Sequence, residues 1–411
     1  MNSADRCTEE RKIDFGRLGD QMNMEAKGQN VQNVEQLIRN FRHQLHQHPE
    51  LSGCEKKTIQ RIRQFLSNHT SLDIFDREGW LYAVKTGSDP DAGSIAFRAD
   101  MDALPIHEEK TDIVEISNDI VNTSYASVNP GVSHKCGHDG HCAALCALAL
   151  KLDAADIRKT VYLIFQPAEE IGGGGKHCAK LIREKQISEV YAFHNLSGWP
   201  EGEIVYRRGL TQPASEGLTI LFHGKTSHAS APEDGINPSE AIARTALFAQ
   251  SEAAKPHRGM VLCTVVGMTA GTGDFGISAG EGSLKLTLRA EYEEEMREME
   301  EAVLSFAEEQ AGQTGLHIAH EIADYFPETR NSDAGIRRVL QAAEELKIPA
   351  KEMPSLWRAS EDFGYYLKEC DGAMFYIGSG EDWPALHTKE YDFNDNLLET
   401  AAAVFFKLAE I

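Results

Sequence analysis

The eight residues His134-Lys135-Cys136-Gly137-His138-Asp139-Gly140-His141 gather one thiol, three imidazoles and a carboxylate around two glycines. Cys136 and His138, separated by one small residue, suit a shared metal centre. Soft sulfur with imidazole favours zinc, cobalt, nickel or manganese over magnesium or calcium. The apolar run Ala143 to Leu152 follows at once and predicts a buried helix. The cluster therefore sits on a loop and a helix N-terminus, where side chains can converge. A polar turn that merely caps a core helix would not need the further donors that four other stretches supply.

Those donors fall at the ends of predicted strands. Ser94 to Ala99 reads as a strand and runs into Asp100-Met101-Asp102. Thr160 to Phe165 is a continuous apolar strand, as expected when both faces are buried, and it leads into Gln166-Pro167-Ala168-Glu169-Glu170. Adjacent carboxylates at a strand's end splay apart. One can bind metal while the other faces the open coordination position and takes a proton from water. Val190 to Phe193 is a short strand ending in His194-Asn195. Open α/β sheets place their sites at the carboxyl ends of strands, so Asp102, Glu169, Glu170 and His194 should meet the Cys136 loop. The run Gly172 to Gly175 before Lys176 is not a phosphate loop, because Glu170 and His177 stand where glycine and a hydroxyl residue are required.

Val31, Val34, Leu37, Ile38, Phe41 and Leu45 define one face of a first helix. His43, His46 and His48 near its end are read as decoration of a helix C-terminus, where positive charge is welcome. A second helix covers about Lys56 to Ser67, and Trp80 to Lys85 is a strand. The stretch Glu108 to Pro130 gives no motif. From Gly209 the pattern changes to β-α-β-β-α-β, the ferredoxin-like unit. Leu284, Leu286 and Leu288 should face its helices, with Lys285, Thr287 and Arg289 on the open side. After Pro327 the first pattern resumes. Asn331 to Lys347 is a helix, Ser360-Glu361-Asp362-Phe363 opens another with capping chemistry, Ala373 to Ile377 is a strand, and Asp395 to Leu408 is the last helix.

The expected organisation is an α/β catalytic domain at 31–208 and 327–411 interrupted by a smaller unit at 209–326. Its sheet is mixed and mostly parallel, flanked by helices. Residues 1–30, charged and without the apolar core of a signal peptide, are expected to be a disordered leader, with Met22 or Met24 as alternative starts. The chain has 411 residues and a formal net charge of −23, which repels phosphate backbones and argues against nucleic acid. No run is long and apolar enough to span a membrane. The eight cysteines have neither zinc-finger spacing nor a small secreted framework. They fit a reducing, cytoplasmic setting.

The stretches Leu45-His46-Gln47-His48-Pro49-Glu50, Phe97-Arg98-Ala99-Asp100-Met101-Asp102-Ala103-Leu104-Pro105, Cys136-Gly137-His138-Asp139-Gly140-His141, Phe165-Gln166-Pro167-Ala168-Glu169-Glu170, Ser360-Glu361-Asp362-Phe363 and Leu386-His387 together resemble the metal-dependent amidohydrolases of the aminoacylase and carboxypeptidase G2 clan. This family includes hippurate hydrolases, auxin-conjugate hydrolases, N-acetyl-diaminopimelate deacetylases and aminobenzoyl-glutamate hydrolases. The resemblance runs from about Val31 to Ile411. It implies two divalent ions held by Cys136, His138, Glu170, His194 and His387, with Glu169 as general base and Asp102 supporting a ligand from behind. It also implies that the inserted unit is a lid and dimerisation domain, making the protein a homodimer. Ser227-His228-Ala229-Ser230-Ala231-Pro232 resembles the lid turn whose histidine polarises the scissile carbonyl, in some relatives from the partner subunit. Arg289 matches a lid arginine suited to gripping a substrate carboxylate.

One departure bears on specificity. Gly271-Thr272-Gly273-Asp274-Phe275-Gly276-Ile277-Ser278 places Phe275 where the family usually has a substrate-facing asparagine. The expected reaction is hydrolysis of an N-acyl amino acid or related small amide. A dipeptidase would instead need an anion in the cleft for a free α-amino group. A catalytically inactive binding protein on the same fold would have no use for the intact Glu169 and five metal ligands.

Overall fold

A computed structural model describes residues 31–109 and 125–411. The expected leader and residues 110–124 lie outside them. An eight-stranded sheet carries the larger unit, in the order Asp73–Arg77, Trp80–Lys85, Thr160–Gln166, Ser94–Asp100, Glu189–Ser197, Asp371–Gly380, Ile204–Tyr206, Ala350–Glu352. Its four central strands, from Thr160–Gln166 to Asp371–Gly380, are parallel. The three donor-bearing strands Thr160–Gln166, Ser94–Asp100 and Glu189–Ser197 are neighbours, so their ends open on one edge of the sheet.

The helix His138–Asp153 is buried on nearly every side, because it is sandwiched beneath the sheet. Leu145, Leu148 and Leu152 are fully buried there, each worth about 1.5–3 kcal/mol. The helix Val31–Gln47 buries Ile38, Phe41 and Leu45 as expected, but Val34 is exposed. The packed face begins one turn later than periodicity alone suggests.

The smaller unit is a four-stranded antiparallel sheet, ordered Val261–Ala270, Glu281–Ala290, Ala214–His223, His317–Phe326. Leu284, Leu286 and Leu288 are buried in a separate core with residues of the helices Ser239–Ala253 and Glu293–Thr314. The chain's two crossings between units, Gly209–Gln212 and Thr329–Asn331, pair with each other as an antiparallel ribbon. We propose that the lid expected at 209–326 hangs on this ribbon. Among the described residues no helix is long and apolar enough to cross a membrane.

The expected cap at Ser360-Glu361-Asp362-Phe363 does not form: the helix there is only Gly364–Leu367 and has no side-chain cap. Glu361 and Asp362 are instead drawn inward by Arg98, whose guanidinium lies 3.0 Å from Glu361 Oε1, 2.7 Å from Asp362 Oδ1 and 2.6 Å from Asp100 Oδ2. A buried arginine outweighs a local capping preference, because leaving it unpaired costs about 3–5 kcal/mol.

Candidate metal centre and active site

Backbone geometry aims the first donors. Gly137 adopts φ +101, and a Cβ there would lie 2.4 Å from Asn195 Oδ1, so the turn between Cys136 and His138 requires glycine. Ala168 is also left-handed, φ 54, and its N–H donates to Glu55 Oε1 at 2.7 Å. That bend turns Glu169 and Glu170 off the end of their strand.

The side chains then converge. Cys136 Sγ lies 3.3 Å from His194 Nε2 and 3.3 Å from His387 Nε2. Glu170 Oε1 lies 3.6 Å from His387 Nε2 and 3.8 Å from His138 Nε2, and Glu169 Oε2 is 3.8 Å from His138 Nε2. Donor atoms of Cys136, His138 and His194 fall within 4.8 Å of one another, as do those of Cys136, Glu170 and His387. Two groups thus share one sulfur.

The ring orientations are fixed from behind. His138 Nδ1 sits 2.9 Å from the Asp102 carbonyl oxygen and 3.2 Å from Asp102 Oδ1. His194 Nδ1 sits 2.7 Å from the Asn195 carbonyl oxygen. Each Nδ1–H therefore donates backward, which turns each Nε2 toward the cluster. Asp102 Oδ2 accepts from Ser52 Oγ at 2.6 Å and from the Glu170 N–H at 3.0 Å. Two buried polar atoms there, His138 Nε2 and Glu170 Oε1, have no hydrogen-bond partner. Such atoms are rare unless something binds them. The donor set of thiol, imidazole and carboxylate fits divalent ions at this point.

The electrostatics agree. Burial pushes the Cys136 thiol up, and the charges of Glu170, Glu169 and Asp100 push it further. Burial and then Glu361, Glu170 and Asp362 raise Glu169 well above the usual carboxylate range, against the opposing charge of Arg98. Glu170 is pushed up to about 7 by burial, with His138 opposing and Asp102 reinforcing. Burial and then His141 hold His194 neutral. Asp100 and Asp102 behind His138 are lowered against their burial, chiefly by His138, so the raised carboxyls among the donors are the adjacent Glu169 and Glu170.

The groups open on a cleft of about 570 Å³ lined by Cys136, Glu169, Glu170, His194, Arg289 and His387 together with Leu196, Phe326, Trp357 and Leu386. Arg289 lies in it, its Nη1 donating to the Arg358 carbonyl at 2.6 Å and Ser360 Oγ at 2.9 Å. His228 and Phe275 do not line it. His228 belongs to the exposed pair of short strands Ser227–His228 and Ile277–Ser278, with its Nδ1 taken by Ser230. Phe275, 102% exposed, touches neither the cleft of its own chain nor the lid core. Local pairing of these two turns fixes them away from the chain's own donors.

Several contributors were not singled out from sequence. Asp100 Oδ1 meets His141 Nδ1 at 2.6 Å, and His141 Nε2 meets Asn195 Oδ1 at 2.7 Å. The sequence cue for these was their place in the Asp100-Met101-Asp102 and His138–His141 motifs. Trp357, whose ring packs edgewise on His194 at 5.3 Å, had no cue.

His46 is not helix decoration either. It is fully buried, 2.8 Å from Asp139 Oδ2 and 2.8 Å from Glu108 Oε1. Burial opposes its charge, but Asp392, Asp139 and Glu108 lift its pKa to about 9. A folded-state value above the unfolded one stabilises fully below about pH 6.5 and is lost as pH rises through about 9. The advantage in unfolding free energy of the wild type over His46→Gln, read by urea denaturation, should therefore shrink by about 3 kcal/mol between roughly pH 6 and pH 10.

The comparisons with known proteins identify a hydrolase acting on amide bonds. Residues 96–411 match the model of peptidase family M20/M25/M40, and the chain belongs to that family. It is similar to an N-acetylcysteine deacetylase of Bacillus subtilis (28% identity, 90% of this chain and 96% of the relative). It is also similar to a hippurate hydrolase of Campylobacter jejuni (29% identity, 90% and 94%) and to an N-acetyldiaminopimelate deacetylase of Exiguobacterium sibiricum (30% identity, 84% and 91%). Among solved structures it is similar to a dinuclear metal-binding M20 peptidase from Bacillus subtilis, with TM-score 0.75, 25% identity and coverage of 92% and 98%.

Proposed function

We propose that the protein hydrolyses the amide bond of N-acyl amino acids or closely related small amides, with Cys136, His138, Glu170, His194 and His387 holding two divalent ions. The observation that carries this reading is the pair of orphaned atoms, His138 Nε2 and Glu170 Oε1, inside a ring of donors that share Cys136. Bound there, such ions supply Lewis acidity, acidifying water and polarising the amide carbonyl.

The chain's own residues divide the remaining work. Glu169 takes the proton of the attacking water on its carboxylate and returns it to the leaving nitrogen. Its place beside Glu170, with Oε2 3.8 Å from His138 Nε2, puts it within reach of the donor group it would serve. Asp102 keeps His138 in one tautomer and one orientation. Arg289 pairs with the substrate carboxylate, exchanging the hydrogen bonds it now gives to Arg358 and Ser360. Leu196, Trp357 and Leu386 offer an apolar wall for the rest of the substrate and help exclude water.

His228 and Phe275 serve a second copy of the chain in this reading. The lid's edge strand Val261–Ala270 exposes Leu262, Val266 and Met268, and Ile277 beside His228 is exposed as well. A homodimer through the lid would cover these groups and bring His228 to the partner's cleft, where an imidazole can stabilise the developing oxyanion.

The test is a screen of N-acyl amino acids and dipeptides with zinc, manganese, cobalt and nickel. Turnover of acyl amino acids is expected. Turnover of dipeptides alone would favour a dipeptidase, and metal uptake without any turnover would favour a binding protein. Within the active series, Arg289→Ala should raise KM at least about tenfold for substrates ending in a free carboxylate and leave their carboxamides nearly unchanged, since only the former offer an anion to pair. Equal effects on both would remove Arg289 from carboxylate recognition.

A further inference from the structure

Lys135 is 1% exposed although its long side chain ends in a polar amine. Buried lysines are uncommon unless paired, and this one is spent on two contacts. Its Nζ lies 2.8 Å from Glu108 Oε1 and donates to the Tyr391 carbonyl at 2.7 Å. Its own backbone carbonyl accepts the His387 N–H at 2.7 Å. Lys135 therefore grips the segment from His387 to Tyr391 at both ends, by main chain at one and by ammonium at the other. It is also the residue immediately before Cys136.

The rest of the circuit is closed by other buried groups. Asn195 Nδ2 donates to the Tyr391 hydroxyl at 2.6 Å and to the Cys136 carbonyl at 3.1 Å. Glu108 Oε1 is anchored in turn by His46 Nε2 at 2.8 Å, and Glu108 Oε2 accepts the Ser127 N–H at 2.7 Å. His387 itself sits at φ 61, a left-handed conformation unusual for a non-glycine residue, which persists only where surroundings hold it. Nothing else in the metal chemistry above calls for a buried ammonium at this point.

We propose that Lys135 is a positioning residue: a two-ended clamp, braced by Glu108, that sets His387 against Cys136 and thereby completes the Cys136–Glu170–His387 donor group. This rests on the two-ion reading above. Removing the ammonium should loosen His387 while leaving the Cys136–His138–His194 group nearly as it was, because those residues are fixed by Asp102, Gly137 and Asn195 instead.

The experiment is a cobalt(II) titration of the metal-free full chain, followed by visible absorption, for wild type, Lys135→Met and Glu108→Gln. Glu108→Gln weakens the same clamp from the other side and serves if Lys135→Met does not fold. Hydrogen exchange of the peptide spanning 385–391 is measured on the same metal-free proteins. Wild type should take up two ions. Both variants should bind one of the two ions at least about tenfold less tightly, the usual scale for losing a partner behind a ligand, with the other ion changed by less than about threefold. Exchange across 385–391 should quicken in both variants. Unchanged binding of both ions, or equal weakening of both, would overturn the clamp. A wild type that binds fewer than two ions would overturn the metal reading instead. The exchange across 385–391 would then decide the clamp alone, unaltered exchange refuting it.

Discussion

Glu169→Gln leaves metal content intact and reduces turnover by roughly 10²–10⁴-fold or more, the range that general acid–base catalysis typically contributes. The substitution keeps size and hydrogen-bonding capacity but removes the group that carries a proton from water to the leaving nitrogen. Glu169 is placed for that task. It stands beside Glu170 at the end of a buried strand, 3.8 Å from His138 Nε2. Its carboxyl is pushed up by burial and by the neighbouring carboxylates Glu361, Glu170 and Asp362. Metal content is measured beside kcat because Glu169 also lies in a donor group with His138 and Glu170. Activity within about tenfold of wild type would remove Glu169 from the base role.

Cys136→Ser has the second large effect, and it falls on the ions. The sulfur is common to both donor groups, so its loss should weaken both ions and extinguish turnover with them. Burial and the charges of Glu170, Glu169 and Asp100 hold the free thiol protonated, whereas a bound cation requires the thiolate. Metal uptake by the wild type should accordingly release about one more proton per chain than uptake by Cys136→Ser, at matched pH. Equal proton release, with equal affinity, would show that the sulfur is not a ligand.

How these residues meet was legible in sequence only in part, and the division is physical. Strand ends could be read because a continuous apolar run such as Val161 to Phe165 has one sensible environment, and the residue that follows it must emerge at the sheet's edge. That alone brings Asp102, Glu170 and His194 together at one edge. Lid periodicity was equally plain at Leu284, Leu286 and Leu288, which are buried as expected. His46, Glu108 and Lys135 were opaque, since each is explained by a side-chain partner far away in the chain or by burial that no local pattern signals. Ser360-Glu361-Asp362 misleads for the opposite reason. It carries a local capping pattern, and a buried guanidinium from Arg98 overrides it. His228 and Phe275 show a further boundary: a motif fixes the turn, but not whose cleft that turn serves. The three-residue edge strand Ala350–Glu352, all exposed, offers no alternation to read.

The most direct measurement is turnover of an N-acyl amino acid by metal-free protein as divalent ion is added back. Paired orphan atoms and two donor groups joined at Cys136 predict no activity at the start, a rise with added ion, and saturation at two ions per chain. Full activity in the chelated protein, or activity indifferent to the ion, would contradict a two-ion hydrolytic site at these residues.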